Sequence, residues 1–271
     1  MTDSSRFSPR FSVGEWLKFR LVPAPLYSRY LVDKNMKRGE AELRVLADIV
    51  PAGRTAVDVG ANKGVYTRVL AGLASHVHAF EPNPKVFRWL ERALPDNVTP
   101  HQVALSDLDG EVDLYLPQRG RRFSGSGGSL NPRKAEAKHG AVRVSARTLD
   151  SCGIGDVGFI KIDVEGSEAQ VLGGARSTIE RCQPVLQVEL EERHTGQAIE
   201  RSIADIVALG YSAHFVDAGS LAGIEAFDAD LRHRRPVTSA DYVYNFIFLP
   251  VGGEREPDGT DATGNGLRVN T

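Results

Sequence analysis

Short apolar runs alternate with segments of helical apolar spacing along most of the chain. Leu43, Leu46 and Val50 recur at helical spacing and predict a helix from Gly39. TAVDVG (55–60) ends in glycine and reads as a buried strand entering a turn. The helix after it is expected to carry Val65, Val69 and Leu73 on one face. VHAF (77–80) predicts a second strand and NPKVFRWLERAL a second helix, with Asn83 as its cap and Pro84 at its first position. A third strand is expected around VTPHQVAL. EVDLYLP (111–117) and AVRVSA (141–146) alternate like strands around a Gly, Ser and basic stretch, so an insertion at about 108–146 carries a hairpin. The rhythm resumes with VGFIKIDV, a helix from Ser167 and the strand PVLQVEL. A further helix through Ile199, Ile203, Ile206 and Leu209 stops at Gly210. YSAHFVD and DYVYNFIFL follow; a basic loop joins them, so they are expected to pair antiparallel.

Alternating strands and helices imply an α/β fold whose mostly parallel sheet is covered on both faces. Ligands of such sheets bind beyond the carboxyl ends of the strands, which makes the strand ends the informative positions. Residues 1–37 mix aromatic, basic and proline residues without sustained periodicity and read as an accessory segment packed on the domain or a partner. The main domain spans 38–250, and the Gly, Asp, Glu, Thr and Asn of 251–271 read as a disordered tail.

Composition narrows the classes. An apolar fraction of 41% with 25% charged residues is that of an ordinary globular chain. A net charge of -2 gives no reason to expect nucleic-acid or general membrane affinity. Two cysteines, Cys152 and Cys182, without zinc-ligand spacing argue against a disulfide scaffold and fit a reducing compartment. The N-terminus has no signal-peptide core and no stretch approaches a membrane span, so the cytoplasm is the expected location. The oligomeric state is left open, a homo-oligomer included.

Three successive strand ends point to an adenosine-type ligand. VDVGANKGVYT (57–67) is a strand, a glycine turn and a helix start; Gly60 and Gly64 allow close backbone approach. It is not GxGxxG, because position 62 is asparagine. Asp58 can hold a turn or an ammonium group. Glu81, at the tip of the second strand before Pro82, is placed to accept both ribose hydroxyls. Ser106 and Asp107, ending the third strand, can meet an adenine edge.

VDVGANKGVYT, FEPNP, VALSD, GSGGSL, RTLD and IKIDVEGSEAQVLGGA occur in the order found in FkbM-type S-adenosylmethionine-dependent methyltransferases. The chain resembles that family over about residues 38–217. The resemblance implies a class I methyltransferase (Rossmann-like) fold with a seven-stranded sheet and an antiparallel last pair. It implies S-adenosyl-L-methionine as cofactor and methyl transfer to oxygen, commonly a hydroxyl of a sugar, glycolipid or polyketide-type product. By analogy Asp58, Gly60, Asn62 and Gly64 cradle the methionine part and its turn, with Tyr66 beside them. Glu81 and Pro82 hold the ribose, Ser106 and Asp107 lie near adenine, and Asp163 also touches the cofactor. Gly128, Ser129 and Leu130 are expected near the site.

An alcohol acceptor must lose a proton, which calls for a general base or a metal. Asp163 and Glu165 are two apart and point to one side of an extended chain. VELEERH adds Glu189, Glu191 and His194 at the next strand's end, so Asp163, Glu165, Glu189 and His194 form an acid/base or hard-metal constellation. Glu165, before Gly166, is alternatively a helix cap together with Ser167 and Glu168. A magnesium or calcium ion suits such carboxylates, although no recognised spacing demands one. The loop RGRRFSGSGGSL (119–130) can fold over the site, and RHRRP (232–236) reads as a solvated turn. N-methylation is disfavoured by the lack of a [DN]PP[YF]-like run after FIKIDV. A nicotinamide-dependent oxidoreductase is disfavoured by the missing GxGxxG and the antiparallel close. A cofactor-binding protein without catalysis is the third alternative.

Overall fold

Apolar strands that have no polar face need a cover on both sides, and the chain supplies it with helices between its strands. The computed structural model describes residues 11–38, 40–119, 122–123, 127–131, 139–236, 238 and 241–252. The expected tail from residue 253 and part of the 119–130 loop, Arg121 included, lie outside the described residues.

Two helices open the chain, α1 (Val13–Leu21) and α2 (Ala24–Arg38), where no periodicity announced them. Ser12 and Glu15 form a reciprocal cap on α1, and Pro23 separates the two helices. The helix expected from Gly39 is a 3-10 turn, Ala41–Arg44, followed by the single turn α3 (Leu46–Ile49). Its apolar positions Leu43, Leu46 and Val50 are nevertheless buried. There follow β1 (Thr55–Val59), α4 (Val65–Ala71), β2 (His76–Phe80), α5 (Pro84–Leu90) and β3 (Val98–His101). The Asn83 side chain accepts the Lys85 N–H at the start of α5, as expected. The buried face of α4 is Tyr66, Thr67 and Leu70, while Val65, Val69 and Leu73 are only half-buried.

After His101 the chain leaves the main sheet. Strands β4 (Ala104–Leu105), β5 (Gly110–Arg119), β6 (Arg122–Phe123) and β7 (His139–Arg147) build a second sheet in the order β4-β7-β5-β6. The expected hairpin is the antiparallel β5–β7 pair. The chain returns through β8 (Val157–Ile162), α6 (Glu168–Gly173), α7 (Arg176–Cys182), β9 (Val185–Glu189), α8 (Glu192–Thr195), α9 (Ile199–Val207), β10 (Tyr211–Asp217), β11 (Ser220–Gly223) and β12 (Asn245–Pro250).

The central sheet runs β11-β10-β12-β9-β8-β1-β2-β3. It is parallel from β3 to β9, and β12 runs antiparallel to both β9 and β10. All seven expected strands are present, and β11 adds an eighth as a short edge hairpin with β10. Alternate residues feed two cores. Val57, Val59, Ile160, Ile162 and Val188 meet α6, α7 and α9, whose Ile199, Ile203 and Ile206 form one buried stripe. Ala56, Val77, Ala79, Phe159 and Ile247 meet α3, α4 and α5. Each fully buried aliphatic side chain contributes about 1.5–3 kcal/mol relative to exposure. The segment RHRRP is no solvated turn: Asp230–Arg234 form a π-helical turn with His233 buried, and Arg234 pairs with Glu192, Glu200 and Asp230.

Candidate active site

The strand ends converge because β1, β2 and β8 are neighbours and parallel. At the end of β1 the chain turns at Gly60, whose φ is +79°. A Cβ there would sit 1.9 Å from the Asp163 carbonyl oxygen, so the β1 and β8 ends approach as closely as they do only with glycine. Gly64, with φ +80°, starts α4 and packs on Leu90; its Cα faces that side chain and not the strand-end crevice.

That crevice is walled by Val59, Gly60 and Asn62, by Phe80–Asn83, by Val103–Leu105, and by Asp163–Glu165. The second sheet closes it with Leu114 and Gly127–Leu130. Ser129 and Tyr115 exchange backbone hydrogen bonds of 2.8 and 3.0 Å, which fixes that flap on β5. The Ser129 hydroxyl also donates to the Glu165 carbonyl at 2.6 Å. Gly128, Ser129 and Leu130 therefore stand at the site as expected.

Glu81 forms the floor. Its carboxylate accepts the Asn62 N–H at 2.9 Å and the Asn83 N–H at 2.8 Å. Burial pushes its pKa up to about 7, against those two N–H groups and helped by the nearby Asp163 and Asp58 charges. Two of a carboxylate's roughly four acceptor positions are left for a ligand, with Pro82 beside them. Ser106 and Asp107 directly follow β4. They sit against Gly173 and Gly174 at the end of α6, and the crevice wall at that strand end is Val103, Ala104 and Leu105.

A second hollow lies behind Gly60, lined by Asp58, Asn62, Tyr66, Lys161 and Asp163 together with Glu15 from the N-terminal segment and Glu40 just after it. Strand register sets Asp58 beside Lys161 and Lys161 beside Gln187. The Lys161 ammonium is 3.0 Å from Asp163 and 4.6 Å from the centre of the Tyr66 ring. Burial alone would lower its pKa, but Asp163, Asp58 and Glu40 hold it above the lysine range. Tyr66 donates to Glu40 at 2.5 Å and accepts from Gln187 at 2.9 Å. Asp58 is fully buried; Oδ2 accepts from Thr67 at 2.6 Å, while Oδ1 has no partner. Burial raises its pKa, opposed by Lys161 and Thr67. A buried acceptor left open beside a hollow fits a ligand ammonium. Lys161 was missed in the sequence, as were Glu40 and Glu15.

Asp163 lines both hollows. Beyond it Glu165 adopts φ +57°, a left-handed conformation uncommon for glutamate and frequent where function demands strain. Glu165 does not cap α6. Its carboxylate reaches the His194 imidazole, Oε2 to Nε2 at 3.3 Å, and Glu168 turns back to accept the Gly166 N–H at 2.9 Å. Asn131 donates to the His194 carbonyl at 2.8 Å and so ties down the short helix α8.

Glu189, Glu191 and His194 offer ligand atoms within 4.8 Å of one another. Glu191 is already held by Arg193 and by the Tyr242 hydroxyl at 2.5 Å. Burial opposes it, yet those two donors keep the Glu191 pKa low. Glu189 is pushed far up by burial and by the Asp163, Glu165 and Glu191 charges, so it keeps its proton at neutral pH. Asp163, Glu165, Glu189 and His194 are thus brought together as expected.

The profile of the Methyltransferase FkbM domain matches residues 58–218. The 2-O-methyltransferase NoeI of Sinorhizobium fredii is 26% identical over 218 residues, covering 72% of this chain and 89% of that protein. Among solved structures, Methyltransferase FkbM from Methylobacillus flagellatus KT is 16% identical with a TM-score of 0.49, over 83% of this chain. The chain spans 55% of that longer one. The DhpI–SAH complex is 14% identical with a TM-score of 0.44, over 84% of this chain and 92% of DhpI. The chain belongs to the FkbM family of S-adenosylmethionine-dependent methyltransferases.

Proposed function

We propose that the protein methylates a hydroxyl oxygen of a saccharide, free or carried on a lipid or polyketide-type aglycone. The observation that carries this reading is the Glu165–His194 pair, 3.3 Å apart, standing where the crevice meets Asp163. When bound, S-adenosyl-L-methionine supplies an electrophilic sulfonium methyl group. Glu81 takes both ribose hydroxyls, the open Asp58 Oδ1 takes the ammonium with Tyr66 nearby, and Asp163, paired to Lys161, lies between them. His194 takes the acceptor's proton as a neutral imidazole base, and Glu165 stabilises the resulting imidazolium. Glu189, kept neutral, adds a hydrogen-bond donor instead of another negative charge beside the reacting oxygen.

A hydroxyl-rich acceptor suits the neighbouring groove, which runs from Gly166 past Asn131 and presents Asp113, Tyr115, Gln170 and Gln197. The curated relative's name, a 2-O-methyltransferase, points to the same acceptor atom. The donor set of Glu189, Glu191 and His194 does not fit a divalent cation, because Glu191 would have to surrender Arg193 and Tyr242. The test is transfer of labelled methyl to a panel of sugars, glycolipids and macrolides, with and without a chelator. Chelator-insensitive labelling of a sugar hydroxyl supports the reading; transfer only to nitrogen, or binding of NAD in place of S-adenosylhomocysteine, overturns it.

A further inference from the structure

The N-terminal helices are held firmly on one side and bare on the other. On the inner side Phe11 and Phe19 pack on Trp89, with Tyr27 4.9 Å from the same ring. Lys85, its side chain 5% exposed, pairs with Glu15 at 2.8 Å, and Arg68 donates to Ser28 at 2.6 Å. The outer side of α1 shows Val13, Trp16, Leu17 and Leu21, spaced three, four and eight residues from Val13 and hence on one helical face. On α2, Leu26 and Tyr30 are exposed as well. Six of the ten large apolar side chains exposed among the described residues fall in these two helices, so the patch is not scattered surface.

Charge says what covers it. Residues 11–38 hold six lysines and arginines against Glu15 and Asp33, a net +4 in a chain of -2, which leaves -6 on the rest. Lys18, Arg20, Arg29, Lys34 and Lys37 are exposed beside the apolar side chains, and Glu15 is already paired. A second copy of the same face would bring like charges together. An apolar stripe with a tryptophan, flanked by cations, matches an anionic lipid surface in both layers of its chemistry. The low overall charge hid this, because it averages two regions of opposite sign.

We propose that α1 and α2 dock the enzyme on anionic membrane surfaces, with Trp16, Leu17 and Leu21 entering the headgroup layer. Glu15, on the inner side of α1, lines the hollow that holds Asp58 and Asp163, so the docked face lies next to the site. Resting on the saccharide-acceptor reading, this makes a sugar displayed on a lipid the acceptor class that the docked enzyme meets.

The experiment uses the full chain and sedimentation with phosphatidylcholine vesicles, with and without 30% phosphatidylglycerol. Anionic vesicles are expected to bind at least tenfold more protein than neutral ones, with the difference shrinking in high salt. Trp16→Ser with Leu17→Ser, both at exposed positions, should lower anionic-vesicle binding at least tenfold. Calorimetric binding of S-adenosylhomocysteine by that variant should be unchanged, which also reports that it is folded. Equal, negligible binding to both vesicles overturns the proposal. So does a dimer in gel filtration that the double substitution dissociates, since a second copy then covers the face. Failure to bind S-adenosylhomocysteine in the unaltered chain would sink the methyltransfer reading instead, whatever the vesicles show.

Discussion

Glu81→Gln perturbs the proposed ribose acceptor with little change of shape. Glu81 is 7% exposed and its two oxygens already accept the Asn62 and Asn83 N–H groups. The amide keeps one oxygen and turns a donor toward one of those N–H groups, leaving a buried donor without a partner. That costs about 1–3 kcal/mol of stability, a drop that chemical denaturation of the ligand-free protein reads directly. Binding loses one charge-assisted hydrogen bond to a ribose hydroxyl, worth about 1.5–3 kcal/mol, or about 10- to 100-fold in affinity. A titration gives a second signature. With a pKa of about 7, Glu81 is mostly neutral at pH 6 and mostly ionised at pH 8. Hydroxyl donors need the ionised form, so S-adenosylhomocysteine should bind about tenfold more weakly at pH 6 than at pH 8. Calorimetry at both values checks this, and the difference should vanish in Glu81→Gln. A folded Glu81→Gln protein with wild-type affinity and an unchanged pH dependence would refute the assignment.

Gly60→Ala places a methyl 1.9 Å from the Asp163 carbonyl and should cost more than about 3 kcal/mol in urea denaturation. Gly64→Ala presses on the flexible Leu90 side chain, at 2.8 Å, with Thr67 at an ordinary 3.7 Å, and should cost about 1–2 kcal/mol, mostly for its left-handed backbone. Lys161→Met removes the partner of Asp163 and should destabilise by about 2–3 kcal/mol, below the usual figure for a broken buried pair because Asp163 is 29% exposed. His194→Asn should lower kcat about 10²- to 10⁴-fold with S-adenosylhomocysteine affinity intact, and Glu165→Gln should lower it less. Equal rates in both variants and wild type would make the pair structural. Burial raises the Glu168 pKa from 4.5 to about 7. The folded state thus holds this proton more tightly, and the stability it contributes is complete below pH 4.5 and lost as pH rises through 7. That loss approaches ~3 kcal/mol, and Glu168→Gln, which keeps the acceptor for the Gly166 N–H, should flatten the profile in that window.

The strand ends were legible because short β-branched runs stop at glycine or at an acid, and parallel neighbours must bring such ends together. Glu81, Asp163, Glu165 and His194 were singled out as candidates that way, and they do stand around the strand ends. Lys161 was not, since lysine is almost never fully buried unless paired, and its partners Asp58, Glu40 and Tyr66 are distant in sequence. Only the register with Asp58 and the cover from Tyr66 show that it is buried. Ser106 and Asp107 follow β4, which belongs to the hairpin sheet because the chain leaves the central sheet after His101. Glu165 looked like a cap because no local pattern signals a left-handed glutamate, and that backbone state sends its side chain to His194. The first two helices escaped for a different reason. With Phe19 inward and Trp16 and Leu17 outward, α1 is apolar on two sides, and periodicity disappears from the sequence when both sides have a use.

The atom that receives the methyl group separates O-methylation from every alternative. Incubating the enzyme with isotopically labelled S-adenosyl-L-methionine and the best acceptor of the panel, then locating the label by NMR, decides it. A methyl ether on a sugar hydroxyl, formed at an unchanged rate in the presence of chelator and lost in His194→Asn, is the expected result. Label on a nitrogen or carbon, or an ether formed as fast without His194, would contradict it.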